Sequence, residues 1–177
     1  MTAFPGLTAG TWTVDPTHAE VGFVARHLMV AKVRGRFTEV SGTVEVGETL
    51  AETSVRAVAS AASVSTNQAD RDGHLRSADF FDVETYPELT FVSTSVSSDS
   101  MTGDLTIKGV TRSVEVEVEL DGIVTDPFGN TRAGFEGEAE ISRKDFGLTW
   151  NVPLDAGGVL VSDKIKIQLD VSATKNA

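Results

Sequence analysis

The sequence predicts an all-β chain whose antiparallel strands close into a barrel or stack as a sandwich. Three observations carry that expectation. Apolar and polar residues alternate at period two through most of the chain, helix-period runs are scarce, and turn residues recur at short intervals. A strand with one apolar and one charged face belongs to an antiparallel sheet, because parallel strands are covered on both faces. About nine such strands would leave open edges unless the sheet closes on itself or a second sheet covers it.

The elements follow in order. GTWTV (10–14) begins the first strand. AEVGFVARHL (19–28) has Val21, Phe23, Ala25 and His27 on one face, and Glu20, Gly22, Val24, Arg26 and Leu28 on the other. VRGRFTEVSGTVEV (33–46), SVRAVASAASV (54–64), ELTFVSTSVSS (88–98) and SMTGDLTIKGV (100–110) come next. SVEVEVEL (113–120) alternates most cleanly, with Val114, Val116, Val118 and Leu120 opposite Glu115, Glu117 and Glu119. AGFEGEAEIS (133–142) sets Ala133, Phe135, Gly137, Ala139 and Ile141 against Glu136, Glu138 and Glu140. KIKIQLDV (164–171) sets Ile165, Ile167, Leu169 and Val171 against Lys164, Lys166, Gln168 and Asp170. The tail SATKNA reads as frayed.

One segment, 65–87, does not alternate. Ser65 and Gln68 have the spacing of a capping box, which predicts a short helix near 67–76, weakened by Gly73. An irregular turn through Phe80 and Phe81 follows. Such an excursion can cover one mouth of a barrel.

Composition excludes several function classes. The chain has 177 residues, 40% hydrophobic and 23% charged, which suits one globular domain over 1–177. It has no cysteine, so disulfides, thiolate metal sites and a thiol nucleophile are ruled out. The opening MTAFPGLTAGTWTV lacks a basic region and an apolar core, so a cytoplasmic location is expected. No run approaches the roughly 18 apolar residues of a membrane span. The net charge of −11 argues against nucleic-acid partners and against anionic lipid surfaces. Lys32, Arg34 and Arg36, with Arg26 nearby, form the one basic cluster, read here as a solvated strand face.

The apolar faces hold many small residues: Val55, Ala57, Ala59 and Ala61 on one strand, and Ala133, Gly137 and Ala139 around Phe135 on another. Either they interdigitate with large neighbours or they leave a cavity, and a barrel of about eight strands can hold one small ligand. A ten-residue strand spans roughly 33 Å, so such a cavity would be a narrow tunnel suited to a long chain molecule.

Catalytic and metal signatures are weak. His27 falls on the apolar face near a strand end, and His18, nine residues earlier, follows the turn signal Asp15–Pro16. A strand length separates them, too far for one metal ion at ~2.0–2.1 Å per ligand. No HExxH helix, GxSxG elbow, phosphate loop or dinucleotide fingerprint occurs. Asp70, Asp72, Gly73 and Asp79 partly match a calcium loop, but Gln68 stands at its first position and aspartate at its last, so it reads as a turn with local ion pairs. Eight acids and one base, Arg132, lie between 115 and 140, mostly in outward glutamate rows that form a solvated face.

The chain resembles the YceI-like, polyisoprenoid-binding, lipocalin-like family from Trp12 to about Val171. The resemblance rests on Trp12, Val14, Asp15 and His18; on Val21, Phe23 and His27; and on Gly35 and Phe37. It continues with the run Arg71, Asp72, His74, Leu75, Arg76, Ser77, Asp79, Phe80, Phe81 and Asp82. Pro87, Thr90, Phe91, the Gly103–Thr111 run, and Arg143, Asp145, Phe146, Gly147 and Leu148 complete it. The family resemblance implies an extended antiparallel lipocalin-like barrel of about eight strands, with a helical excursion near 65–82. It implies non-catalytic binding, transport or storage of one long amphiphile: a polyisoprenoid, an isoprenoid quinone or a fatty-acid derivative. The alternative is an enzyme using His18, His27 or His74 as acid or base on a lipid or other small molecule. No metal or other cofactor is expected, and a homodimer is plausible by analogy. The tail would lie along Phe23, Ala25, Phe37, Phe91, Leu105, Phe135, Phe146 and Trp150. The head group would meet His27, His74 or Arg76, and Phe80 and Phe81 would form part of a lid. The basic Lys32, Arg34 and Arg36 depart from the family and point toward an anionic head group.

Overall fold

A computed structural model describes residues 6–28, 30–152 and 160–176. Its strands are β1 (Gly10–His27), β2 (Ala31–Phe37), β3 (Val40–Val46), β4 (Ser54–Ser60), β5 (Val64–Ser65), β6 (Glu88–Val96), β7 (Ser100–Ile107), β8 (Val110–Thr125), β9 (Thr131–Ser142) and β10 (Lys164–Lys175). One α-helix among the described residues, α1 (Ala69–Arg76), interrupts them. The described strands pair in the order β10-β9-β8-β7-β6-β4-β3-β1-β2-β5, and β1 also pairs with β10. That last pairing closes eight strands into an antiparallel barrel, and β2 and β5 extend it as a flap on the side of β1. Closure satisfies the backbone groups that edge strands would expose.

The elements differ from expectation in four places. The segments 10–14 and 19–28 are one strand of 18 residues. A bulge joins its halves: five steps from Val14 to Ala19 oppose two steps from Ala173 to Val171. The Asp15 carboxylate holds the bulge, accepting from Thr17 N at 3.0 Å and Thr17 Oγ1 at 2.7 Å. The segment 33–46 is two strands, because the chain turns at Thr38 and Glu39; β3 then pairs with residues 10–13 of β1 and β2 with residues 21–27. The strand expected over 54–64 stops at Ser60, where Ser63 Oγ donates to the Ser60 carbonyl and accepts from Glu39 N. The tail is not frayed through Asn176: β10 runs to Lys175, and Asn176 N donates to Thr11 O at 2.8 Å.

The helix forms within the expected stretch, but the Ser65–Gln68 capping box does not: Ser65 belongs to β5 and the cap is Gln68. The Gln68 side chain accepts from Arg71 N at 2.6 Å, satisfying one of the helix's free N–H groups. Asp72 is buried and accepts from both Thr66 N and Thr66 Oγ1, fastening α1 to the end of β5. Lys108 and Gly109, both at positive φ, make the tight turn between β7 and β8.

The barrel ends differ. At one, Leu7, Trp12, Val46, Ala133 and Ala173 pack into a plug, with Leu50, Leu120 and Ile123 against it. At the other, α1 and the turn after it lie over the strands. There Phe37, Val40, Ala59 and Val64 meet Leu75 and Phe81, while Phe80, Ile107, Phe146 and Leu148 form an adjoining cluster.

Candidate functional site

Between plug and cover lies an internal cavity of about 310 Å³, at the lower end of the roughly 300–1,000 Å³ typical of ligand sites. Alternation builds its wall. Val21, Phe23 and Ala25 of β1, Val55, Ala57 and Ala59 of β4, Phe135, Gly137, Ala139 and Ile141 of β9, and Ile165, Ile167, Leu169 and Val171 of β10 all face it. Leu75, Phe80 and Phe81 close it from the helical side.

The small residues divide into two groups. At Gly35 the Phe23 ring occupies the place a Cβ would take, and at Gly103 the Phe91 ring does the same. These glycines seat aromatic rings against the wall and make no empty space. Ala57, Ala59, Gly137 and Ala139 instead line the cavity. Phe23 continues into an aromatic run toward the cover, 5.8 Å from Phe37 between ring centres, with Phe37 a further 5.6 Å from Phe81.

Eight of the thirteen residues expected at the tunnel line the cavity: Phe23, Ala25, Phe37, Phe80, Phe81, Phe91, Leu105 and Phe135. Five do not. His27 shares the strand face of Ala25 but is exposed, because β1 outlasts the barrel wall. Arg76 turns away: its Nε donates to Ala62 O at 2.9 Å and Nη2 to Val64 O at 3.0 Å, tying α1 to the wall. His74 lies outside the cover between Phe80 and Trp150, with ring centres 5.1 and 4.6 Å away, and its Nε2 is 2.8 Å from Asp79 Oδ2. Trp150 is the outer leaf of that stack, and Phe146 is wholly buried in the packing beside the cavity. His18 sits on the bulge, its Nδ1 2.9 Å from Asp15 Oδ2 and its side chain 66% exposed. The three histidines therefore stand apart, and no histidine lines the cavity. Among the described residues no group of three His, Asp or Glu is arranged to hold a metal ion.

Among the lining residues the expected set omitted, Arg143 is a buried charge. It lines the cavity and is only 4% exposed. Its Nε donates to Ser162 O at 2.8 Å, Nη1 to Leu148 O at 2.6 Å and Trp150 O at 2.9 Å, and Nη2 to Val161 O at 3.2 Å. Burial pulls its pKa down and the Asp163 charge opposes that pull, but a guanidinium stays protonated in proteins. Burial also pushes the Asp163 carboxyl up; bonds from Ser142 Oγ and Lys144 N, with the charges of Lys144 and Arg143, outweigh it and hold the group low. Among the described residues the guanidinium is thus held by four carbonyls, and no carboxylate lies in ion-pair contact with it. Its only signal in sequence was membership of the Arg143–Leu148 motif, since periodicity does not mark a charged residue as buried.

Fold and cavity define a closed antiparallel barrel with an apolar interior. The model of the YceI-like domain matches residues 12–173, and the chain belongs to the YceI-like family. It is 44% identical over 145 residues to Protein YceI of Escherichia coli, covering 79% of this chain and 74% of that one. It is 35% identical over 160 residues to a UPF0312 protein of Staphylococcus aureus, covering 89% and 93%. Among solved structures, BcnA of Burkholderia cenocepacia superposes with a TM-score of 0.75 at 26% identity, covering 91% of this chain and 99% of that one. A Saccharophagus degradans domain, described as polyisoprenoid binding and implicated in plant cell wall breakdown, shares the fold at TM-score 0.73 and 17% identity, covering 93% and 98%.

Proposed function

We propose that the barrel binds one long-chain amphiphile, an isoprenoid or fatty-acid derivative, and carries or stores it without chemical change. The observation that carries this reading is the cavity: inside the barrel, apolar on nearly every side, and with Arg143 in its lining. An apolar tail gains roughly 25 cal/mol per Å² of area removed from water, less the cost of ordering it. The polar head lies beside Arg143, where the charge favours an electron-rich group in a low-dielectric setting. The polyisoprenoid-binding description of the Saccharophagus domain, which has the same fold, supports the class of ligand.

Native mass spectrometry of the purified chain, followed by solvent extraction, tests this. A bound lipid mass is expected. An unliganded protein that takes up neither a prenyl alcohol nor a fatty acid when offered them would overturn the reading.

A further inference from the structure

The β1–β2 hairpin reverses the charge balance of the chain. Residues 21–37 hold four of the 15 Lys and Arg and none of the 26 Asp and Glu. Arg26 stands directly across from Lys32, and Arg34 and Arg36 follow on the same outer face. Like charges directly opposite one another destabilise a strand pair. Arg36 reaches Glu20 at 4.0 Å, but among the described residues Arg26, Lys32 and Arg34 have no ion pair. Among the described residues nothing but Glu20, near Arg36, neutralises this repulsion.

The same hairpin carries an exposed apolar tip. Leu28 is 43% exposed and Val30 79%, and Val152 nearby is 41% exposed. Leu28 N donates to Leu160 O at 2.8 Å and Leu160 N to Val152 O at 3.0 Å, so these side chains share one rim. The next residue, Val161, lines the cavity and bridges to His27. Ala31–Gly35 pair with β1 alone among the described strands, so the hairpin has a free flank.

We infer that this rim docks on an anionic lipid bilayer. Leu28 and Val30 enter the boundary between head groups and acyl chains, and Arg26, Lys32 and Arg34 meet the lipid phosphates. The remaining acidic surface, led by the glutamate rows of β8 and β9, is repelled, so only this end approaches. A second copy of the chain could offer its acidic face to the cations, but it would leave the apolar rim unexplained. The other exposed apolar tip, Phe128, lies between β8 and β9, where Arg132 is already paired with Asp15 and Asp126. Docking does not depend on the cavity being filled, although a rim beside a lipid cavity suits loading and release.

Flotation of the full chain with two kinds of vesicle tests the inference: phosphatidylcholine alone, and equal parts phosphatidylcholine and phosphatidylglycerol. Strong binding is expected only to the anionic vesicles, and it should disappear at high salt. Lys32→Glu with Arg34→Glu should weaken it by at least about 25-fold, near fivefold per cation lost. Leu28→Ser with Val30→Ser should weaken it while leaving its salt dependence. Equal binding to both vesicles, no binding, or full binding by the charge-reversed variant would overturn docking. So would self-association that the same charge reversal abolishes without any vesicle binding. Because both substitutions are exposed, the variant should keep its fold and any lipid seen by native mass spectrometry. An empty barrel that still floats with anionic vesicles would refute the lipid-carrying reading alone.

Discussion

The two ends of the barrel are made from the same strands and treat charge in opposite ways. At the plugged end, Leu7 and Trp12 are each 1% exposed, and Trp12 Nε1 donates to Thr8 O at 3.0 Å. The charges there are paired, with Arg132 2.9 Å from Asp15 and 2.8 Å from Asp126. At the other end β1 runs on into a hairpin with one neighbour, cations face each other, and Arg143 is held by carbonyls. Both ends are tightly packed, and they differ in charge: the Arg132 pairs stand at one and the cationic hairpin at the other. Among the described residues, the other end keeps Arg26, Lys32 and Arg34 without an ion pair and Leu28 and Val30 exposed.

Trp12→Ala should break this contrast most severely, costing about 3–5 kcal/mol in urea unfolding. A loss below about 1 kcal/mol would show that the plug is not what holds the barrel. Arg143→Met should cost about 2–4 kcal/mol, because the guanidinium's four bonds to carbonyls are lost in a buried place. Thermal unfolding measures it, and an unchanged Tm would remove Arg143 from the account of that end. Ala139→Leu separates cavity from filled core. Overpacking a solid core costs about 1–3 kcal/mol, whereas filling an empty cavity should cost less than about 1 kcal/mol and expel bound lipid.

Acid acts on both ends, through Asp15 and Asp126 at the plug and through Asp163 beside Arg143 at the other. The Arg132 guanidinium, then the backbone N–H of Asn130, hold the Asp126 carboxyl down to about 2, and bonds from Thr17, His18 and Arg132 hold Asp15 lower still. Both groups have folded pKa values below their unfolded ones, so their contribution is present above about pH 4 and fades as pH falls through the folded values. The stability difference between the natural chain and Asp126→Asn should therefore be level from neutral pH to near pH 4 and shrink toward pH 2. A difference that grows on acidification would reverse the assignment. The smallest effect is expected from Leu28→Ser with Val30→Ser, within about 0.5 kcal/mol, since neither side chain is packed.

Much of the cavity was legible in the sequence. Phe23 and Phe135 sit on apolar faces that period two assigns, while Phe91 and Leu105 were expected there through the resemblance. The same alternation put His27 on the inner face of β1, which is correct as parity, yet no local pattern shows that the wall ends at Ala25. Gly35 and Ala57 look alike as small inward residues, but one seats an aromatic ring and the other borders space. Trp150 and Phe146 read as tunnel aromatics because size and apolarity do not reveal which layer a side chain occupies. Arg143 was hidden for the converse reason: its burial depends on carbonyls from 148–150 and 161–162 converging on it.

The sequence by itself determined the alternating segments, the helical excursion and the family, because each depends on residues a few positions apart or on motifs read in order. Only the tertiary structure decided that β1 meets β10, which end is plugged, that Arg143 lies at the cavity, and that the basic hairpin forms a rim beside it. Those outcomes depend on pairings such as Trp12 with Lys175, across almost the whole chain. Register at that distance is set by bulges, turns and packing together, and none of these is a property of any short stretch.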